Sequence, residues 1–272
     1  MPVSETTDRK AVAGLDGTAS ESDRDDATTD PNGLPINELF YSLQGEGRLA
    51  GTPSVFVRTS GCNLRCWFCD SYHTSWEPTH AWLELSEIVA EIETYDADHV
   101  VLTGGEPLLH ERSADLLDEL ASRDYHTTVE TNGTIYRDGP IDLVSISPKL
   151  ESSTPTPERS PSDEDDTSWE RRHEADRIDL ESFTALIEDT EFQLKFVVTD
   201  DGDLPEILSV IAELRDAADV PIRDDDVLLM PEGATRERLA ETRGRVAELA
   251  MEYGFRYTPR LHVDLWNDAP ET

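Results

Sequence analysis

The stretch Ser54-Val55-Phe56-Val57-Arg58-Thr59-Ser60-Gly61-Cys62-Asn63-Leu64-Arg65-Cys66-Trp67-Phe68-Cys69 decides the fold. Its first six residues are mostly β-branched or aromatic and Ser60-Gly61 ends them, which predicts a strand over residues 54–59. Three cysteines then follow within eight positions as C-x3-C-x2-C. Three thiolates on so short a loop can grip three irons of a cubane and leave the fourth iron without a protein ligand. The same cysteines also suit structural zinc, with His73 completing C-x3-C-x2-C-x3-H. The chain has no other cysteine, so local metal ligation is a better reading than a disulfide framework.

Outward from this loop, similar runs occupy residues 99–103, 126–131, 143–147, 192–199 and 227–230. Between them apolar residues recur at spacings of three and four: Ile88, Ile92 and Tyr95; Leu116, Leu117, Leu120 and Ala121; Ile207, Ile211 and Leu214; Leu239, Val246 and Leu249. Strands alternating with amphipathic helices indicate βα units around a parallel sheet. Six such strands predict an α/β fold, a partial TIM-like β/α barrel. Four of the runs end in Thr103-Gly104-Gly105-Glu106, Glu130-Thr131-Asn132-Gly133, Ser147-Pro148-Lys149 and Met230-Pro231-Glu232-Gly233. The carboxyl ends of barrel strands form the reactive mouth, so these motifs are expected to converge on one rim.

The 272 residues carry 59 acidic and 23 basic side chains, a net charge of −36. Residues 1–32 hold 8 acids and 3 bases among Ser, Thr, Ala and Gly. With so few large apolar residues they cannot offset the entropy of ordering, and a disordered acidic tail is expected. Residues 151–177, with 9 acids and 4 bases amid Pro and Ser, read as a disordered surface insertion whose Trp169 is the only hint of contact. The remaining 213 residues keep 42 acids against 16 bases, so the folded domain within 33–272 is itself acidic. Such a surface repels itself in dilute salt and stays hydrated where salt screens it, which points to a salt-rich cytoplasm. Direct contact with nucleic acid is disfavoured, because phosphate recognition needs a basic footprint. No apolar run approaches the roughly 20 residues of a membrane span, and the N-terminus lacks a signal peptide's apolar stretch, so a cytoplasmic protein is expected.

The cysteine loop, with an aromatic before its last cysteine and Gly104-Gly105-Glu106 after the next strand, resembles the radical S-adenosylmethionine (SAM) superfamily. The resemblance implies a [4Fe-4S] cluster on Cys62, Cys66 and Cys69, whose open iron chelates the amino and carboxylate groups of SAM. It implies that one electron from the reduced cluster cleaves the sulfonium to methionine and a 5′-deoxyadenosyl radical. Phe68 is then expected against the adenine. Gly104 and Gly105 would let the backbone approach the methionyl ammonium, and Glu106 would add a complementary charge. Thr131, Asn132, Ser147 and Lys149 would reach the ribose and the methionyl carboxylate.

A narrower resemblance covers most of residues 34–267. It is carried by INELFYSLQGEGRLAGTPSVFVRTSGCNLRCWFCDSYHTSW over 36–76, by Thr131-Asn132-Gly133, by Ser147-Pro148-Lys149 and by Leu261-His262-Val263-Asp264-Leu265-Trp266-Asn267. These match the 7-carboxy-7-deazaguanine synthase family. The family's reaction is a Mg2+-dependent ring contraction of 6-carboxy-5,6,7,8-tetrahydropterin with loss of ammonia. Its product feeds deazaguanine nucleosides of tRNA, archaeosine and queuosine. The implied substrate wall is Leu43, Gln44, Gly45, Glu46, Gly47, Arg58, Thr103 and Gly105, with Ser71 as Mg2+ ligand and Asp70 its competitor. Amide and carboxylate groups suit a pterin edge, and a cation suits its carboxylate. A homodimer and a flavodoxin- or ferredoxin-like electron donor are implied as partners. His262 and Trp266 could close the site or serve packing, and the other histidines form no ligand pattern. Two other readings share part of the pattern: a glycyl-radical activase acting on a protein, and a non-enzymatic zinc or electron-transfer protein.

Overall fold

The structure is a computed structural model that describes residues 33–160, 168–267 and 269. The expected tail, residues 1–32, lies outside the described residues. Among the described residues, nine strands form one open sheet in the order β3-β1-β2-β4-β5-β6-β7-β8-β9. The six expected strands are β2 (Pro53–Thr59), β4 (His99–Gly104), β5 (His126–Thr131), β6 (Leu143–Ile146), β7 (Phe192–Val198) and β8 (Val227–Pro231). They lie side by side and parallel, as a partial barrel requires.

Three further strands extend the sheet. β1 (Gly33–Leu43) pairs antiparallel with β2, β3 (Ala81–Glu84) pairs antiparallel with β1, and β9 (Arg256–Tyr257) adds to β8. Their alternation is hidden in the sequence for physical reasons. β1 carries Pro35, Asn37 and Glu38 and shifts register between Ile36 and Glu38, while β3 and β9 are too short to show a period.

Period-two alternation sorts each barrel strand into two faces. Val55, Val57, Val100, Leu102, Val129, Val144, Ile146, Leu194, Phe196, Val198 and Leu229 join the main core. There they meet the apolar faces of α2 (Leu85–Ile92), α3 (Arg112–Ala121), α5 (Leu180–Asp189), α6 (Leu204–Ala217) and α7 (Arg236–Tyr253). The intervening residues, among them Arg58, Thr103, Glu130, Ser145, Lys195 and Met230, face the cavity inside the barrel. Shorter helices α1 (Tyr72–Ser75), α4 (Ser168–Asp176) and α8 (Leu261–Trp266) complete the fold.

The hairpin between β1 and β2 crosses the amino ends of the strands, where Leu43 pairs with Pro53. From there Arg48 donates its backbone N–H to Gln193 at 2.9 Å and pairs with Asp226 at 2.5 Å, just before β8. The floor of the barrel is thereby closed.

The insertion departs from the expectation of disorder. Residues 151–160 and 168–177 take defined positions, with α4 in the second part and His173 buried beneath it. Arg65 lies 4.1 Å from the Trp169 ring centroid, a cation–π contact that fixes the segment on the cysteine loop. Residues 161–167 lie outside the described residues. Among the described residues, no helix is long and apolar enough to cross a membrane.

Candidate active site

A cavity of about 610 Å3 fills the barrel between the floor loop and the rim, and residues from every expected strand line it. Of the predicted residues, Leu43, Gln44, Gly45, Glu46, Arg58, Cys62, Cys66, Phe68, Cys69, Ser71, Thr103, Gly104, Gly105, Thr131, Asn132, Ser147 and Lys149 all reach it. Glu106 and Gly47 do not line it.

The cysteines are free and half-buried, and all three face the cavity. Burial pushes the thiols of Cys62 and Cys66 up to about 12, and that of Cys69 upward as well. Polar donors already point at the sulfurs: Leu64 N–H at 3.4 Å from Cys62 Sγ and Ser75 Oγ at 3.2 Å from Cys69 Sγ. Buried thiols with such donors suit a cationic cluster that converts them to thiolates. Among the described residues no three His, Cys, Asp or Glu side chains stand close enough to hold one metal ion.

Beyond the cysteines, Gly104 takes φ of +137°, and a Cβ there would stand 2.1 Å from the Thr59 carbonyl oxygen. Only glycine allows β4 to pass this close to β2. Lys149 Nζ donates to Ser147 Oγ at 2.8 Å, and its charge lies near enough to Cys66 to favour the thiolate. Glu106, expected to face SAM, does not line the cavity. It is fully buried, and its carboxylate accepts from Leu108 N at 2.9 Å, Asn132 N at 2.7 Å and Thr131 Oγ1 at 2.8 Å. Burial, opposed by these donors, raises its carboxyl to about 7. Its work is to tie the rim after β4 to the rim after β5. Gly47 supports the floor from below, donating to Thr258 Oγ1 at 2.7 Å.

The floor is a charged network. Glu46 pairs with Lys195 at 2.5 Å and with Arg260 at 3.1 Å. Burial would raise its carboxyl, but Lys195, Arg260 and His262 outweigh that and hold it well below the usual carboxylate range. Gln44 donates to Glu130 Oε1 at 3.1 Å, and Thr103 donates to Glu130 Oε2 at 2.9 Å. Arg58 donates to Ser71 Oγ at 2.6 Å and pairs with Glu38 at 2.9 Å. Ser71 in turn donates to Asp70 at 3.3 Å, and the other oxygen of Asp70 pairs with Arg260. His262 lines the cavity against Gly45, where a Cβ would stand 1.8 Å from its Nδ1, whereas Trp266 does not line it.

Sequence reasoning missed Glu130, Lys195 and Arg260 as parts of this network. Lys195 had a signal: it and Gln193 alternate with apolar residues in Phe192–Val198, placing a cation on the inner face of a buried strand. Arg260 had none, since it lies in a turn brought to Glu46 only by the fold.

A family model described as the Radical SAM superfamily matches residues 56–149. A 7-carboxy-7-deazaguanine synthase of Halobacterium salinarum is 65% identical over 273 residues, covering 100% of this chain and of that protein. One from Rhodopirellula baltica is 40% identical over 239 residues, covering 88% of each. Among solved structures, QueE from Escherichia coli matches with a TM-score of 0.58 and 25% identity, over 85% of this chain and 95% of that one. With the cysteine loop, the glycine rim and the charged floor gathered round one cavity, these likenesses settle that the chain belongs to the 7-carboxy-7-deazaguanine synthase family of radical SAM enzymes.

Proposed function

We propose that the chain converts 6-carboxy-5,6,7,8-tetrahydropterin to 7-carboxy-7-deazaguanine and ammonia, on the path to deazaguanine-modified tRNA nucleosides. The carrying observation is that the amide and carboxylates of Gln44, Glu46 and Glu130 share one barrel cavity with the three cysteines. A pterin edge needs such donors and acceptors, and its carboxylate needs a cation, which Arg58 offers. Loss of ammonia balances the ring contraction without net oxidation.

When bound, the cluster and SAM supply a carbon radical able to take a hydrogen atom, and Mg2+ supplies a Lewis acid. The protein's residues bind and orient. Cys62, Cys66 and Cys69 would hold the cluster. Phe68, Gly104, Gly105, Thr131, Asn132, Ser147 and Lys149 would form the SAM wall. Leu43, Gln44, Gly45, Glu46, Arg58 and Thr103 would form the substrate wall, with Ser71 and Asp70 at the Mg2+ position. Lys195 and Arg260 keep Glu46 ionised, so it can only accept hydrogen bonds. We further place the chain in the cytoplasm as a homodimer served by a flavodoxin- or ferredoxin-like reductant. Activation of a glycyl-radical protein is not favoured, since the full-length relatives carry the synthase name.

The test is anaerobic purification in high salt, cluster reconstitution, and supply of reductant, SAM, Mg2+ and the carboxypterin. Release of 7-carboxy-7-deazaguanine is expected, and its absence from protein with an intact cluster refutes the assignment. Cys66→Ala should lose iron and turnover together; a variant with normal iron content shows that the ligands were misassigned.

A further inference from the structure

The 151–177 insertion grips the middle cysteine from both sides. The backbone amide before Cys66, Arg65 N–H, donates to His173 Nδ1 at 3.2 Å. The amide after it, Trp67 N–H, donates to the Ser153 carbonyl at 3.1 Å, and the Trp67 indole donates to the Ser152 carbonyl at 2.7 Å. From the opposite side the Trp76 indole donates to the Cys66 carbonyl at 2.9 Å.

His173 is the one buried residue of α4, with no exposed surface. Burial lowers its pKa to about 4, so the ring is neutral near neutral pH. Since Nδ1 accepts from Arg65, the ring proton sits on Nε2 and donates to Ser153 Oγ at 2.8 Å. The Ser153 hydroxyl in turn donates to the Leu150 carbonyl at 2.6 Å, which fixes the residue whose own carbonyl holds Trp67. An imidazole that satisfies a loop amide with one nitrogen and orients a hydroxyl with the other joins two segments 108 residues apart.

We propose that His173 is a positioning residue for the cluster, joining the insertion to the cysteine loop so that it sets the placement of Cys66. The proposal rests on the reading that Cys62, Cys66 and Cys69 hold the cluster. The groups that orient a ligating cysteine and shield it from solvent tune the reduction potential, so loosening the anchor shifts it.

Full-length His173→Asn, His173→Gln and His173→Ala test this in two forms of the protein. Asn offers an acceptor where Nδ1 stands but stops short of Ser153, whereas Gln reaches the Nε2 position and leaves Arg65 unpaired. In the cluster-free protein, exchange of the Arg65 amide hydrogen should be about tenfold faster in the Gln and Ala variants and near wild type in Asn. In the reconstituted protein, a redox titration followed by electron paramagnetic resonance should give a shifted potential for Asn and Ala, which no longer hold Ser153, and a near-wild-type value for Gln. That crossed pattern distinguishes positioning from general destabilisation, which would move both readouts together, and the Asn and Gln variants carry the test even if Ala fails to fold. Unchanged exchange and potential in all three, with normal iron content, overturn the proposal and leave the cluster reading standing. Wild-type protein that takes up no cluster overturns that reading and the proposal with it.

Discussion

Replacing Lys195 by Met is the sharpest probe of the charged floor. Met keeps the length and most of the volume while removing a cation 2.5 Å from Glu46, between side chains only 6% and 12% exposed. Breaking a buried ion pair from one side costs about 3–5 kcal/mol, because it strands a desolvated charge. Here Glu46 keeps Arg260 at 3.1 Å, which lowers the expected loss to about 2–3 kcal/mol. For a domain of this size that corresponds to a fall in Tm of about 5–10 °C. Salt screens so buried a pair poorly, so the loss should persist in molar KCl.

The sign of the pH dependence follows from Glu46. Its folded carboxyl lies far below the ordinary 4.5, so in the wild type its stabilisation is complete above about pH 4.5 and fades only in stronger acid. Without Lys195 the largest opposing charge is lost, so the carboxyl rises from that low value. Protonation then relieves the stranded charge at milder pH, and the deficit of the variant should shrink as the pH falls from 7 to 4. The assay is thermal unfolding of cluster-free protein across that range, with Lys195→Met/Glu46→Gln beside the single variant. The double variant should recover part of the loss, since Glu46 no longer carries a stranded charge while Arg260 keeps Asp70. An unchanged Tm at pH 7, or a double variant whose losses simply add, would refute the reasoning.

Glu106 predicts the opposite pH trend: its carboxyl is raised to about 7, so the folded state holds a proton that the unfolded chain releases above about 4.5. The stability margin of wild type over Glu106→Gln should therefore fall as pH rises from about 4.5 to about 7 and level off above that, and a margin that grows with pH in thermal unfolding would contradict this. Ser71→Ala should leave iron content intact and raise the Mg2+ concentration needed for half-maximal turnover; an unchanged Mg2+ dependence moves the ligand elsewhere, with Asp70 next in line. The acidic surface predicts a Tm that climbs as KCl goes from low to molar levels, and a fall would remove the argument for a salt-rich cytoplasm.

The local sequence determined a good deal by itself. Six strands were legible because β-branched runs and helical periodicity are short-range signals, and they fixed a partial barrel. The cysteine spacing and Gly104-Gly105 were legible because a three-ligand loop and a side-chain-free approach are written in adjacent residues. Even Gln44, Glu46 and Arg58 were readable, as part of one continuous motif. Tertiary structure decided what depends on distance in the chain. Only the fold shows that the Glu106 carboxylate is held by Thr131 and Asn132. Only the fold brings Lys195 and Arg260, 149 and 214 positions away, onto Glu46. The insertion shows the same division: its composition predicts disorder, yet residues 151–160 and 168–177 take defined positions because buried His173 finds the Arg65 amide, a partner no local pattern announces.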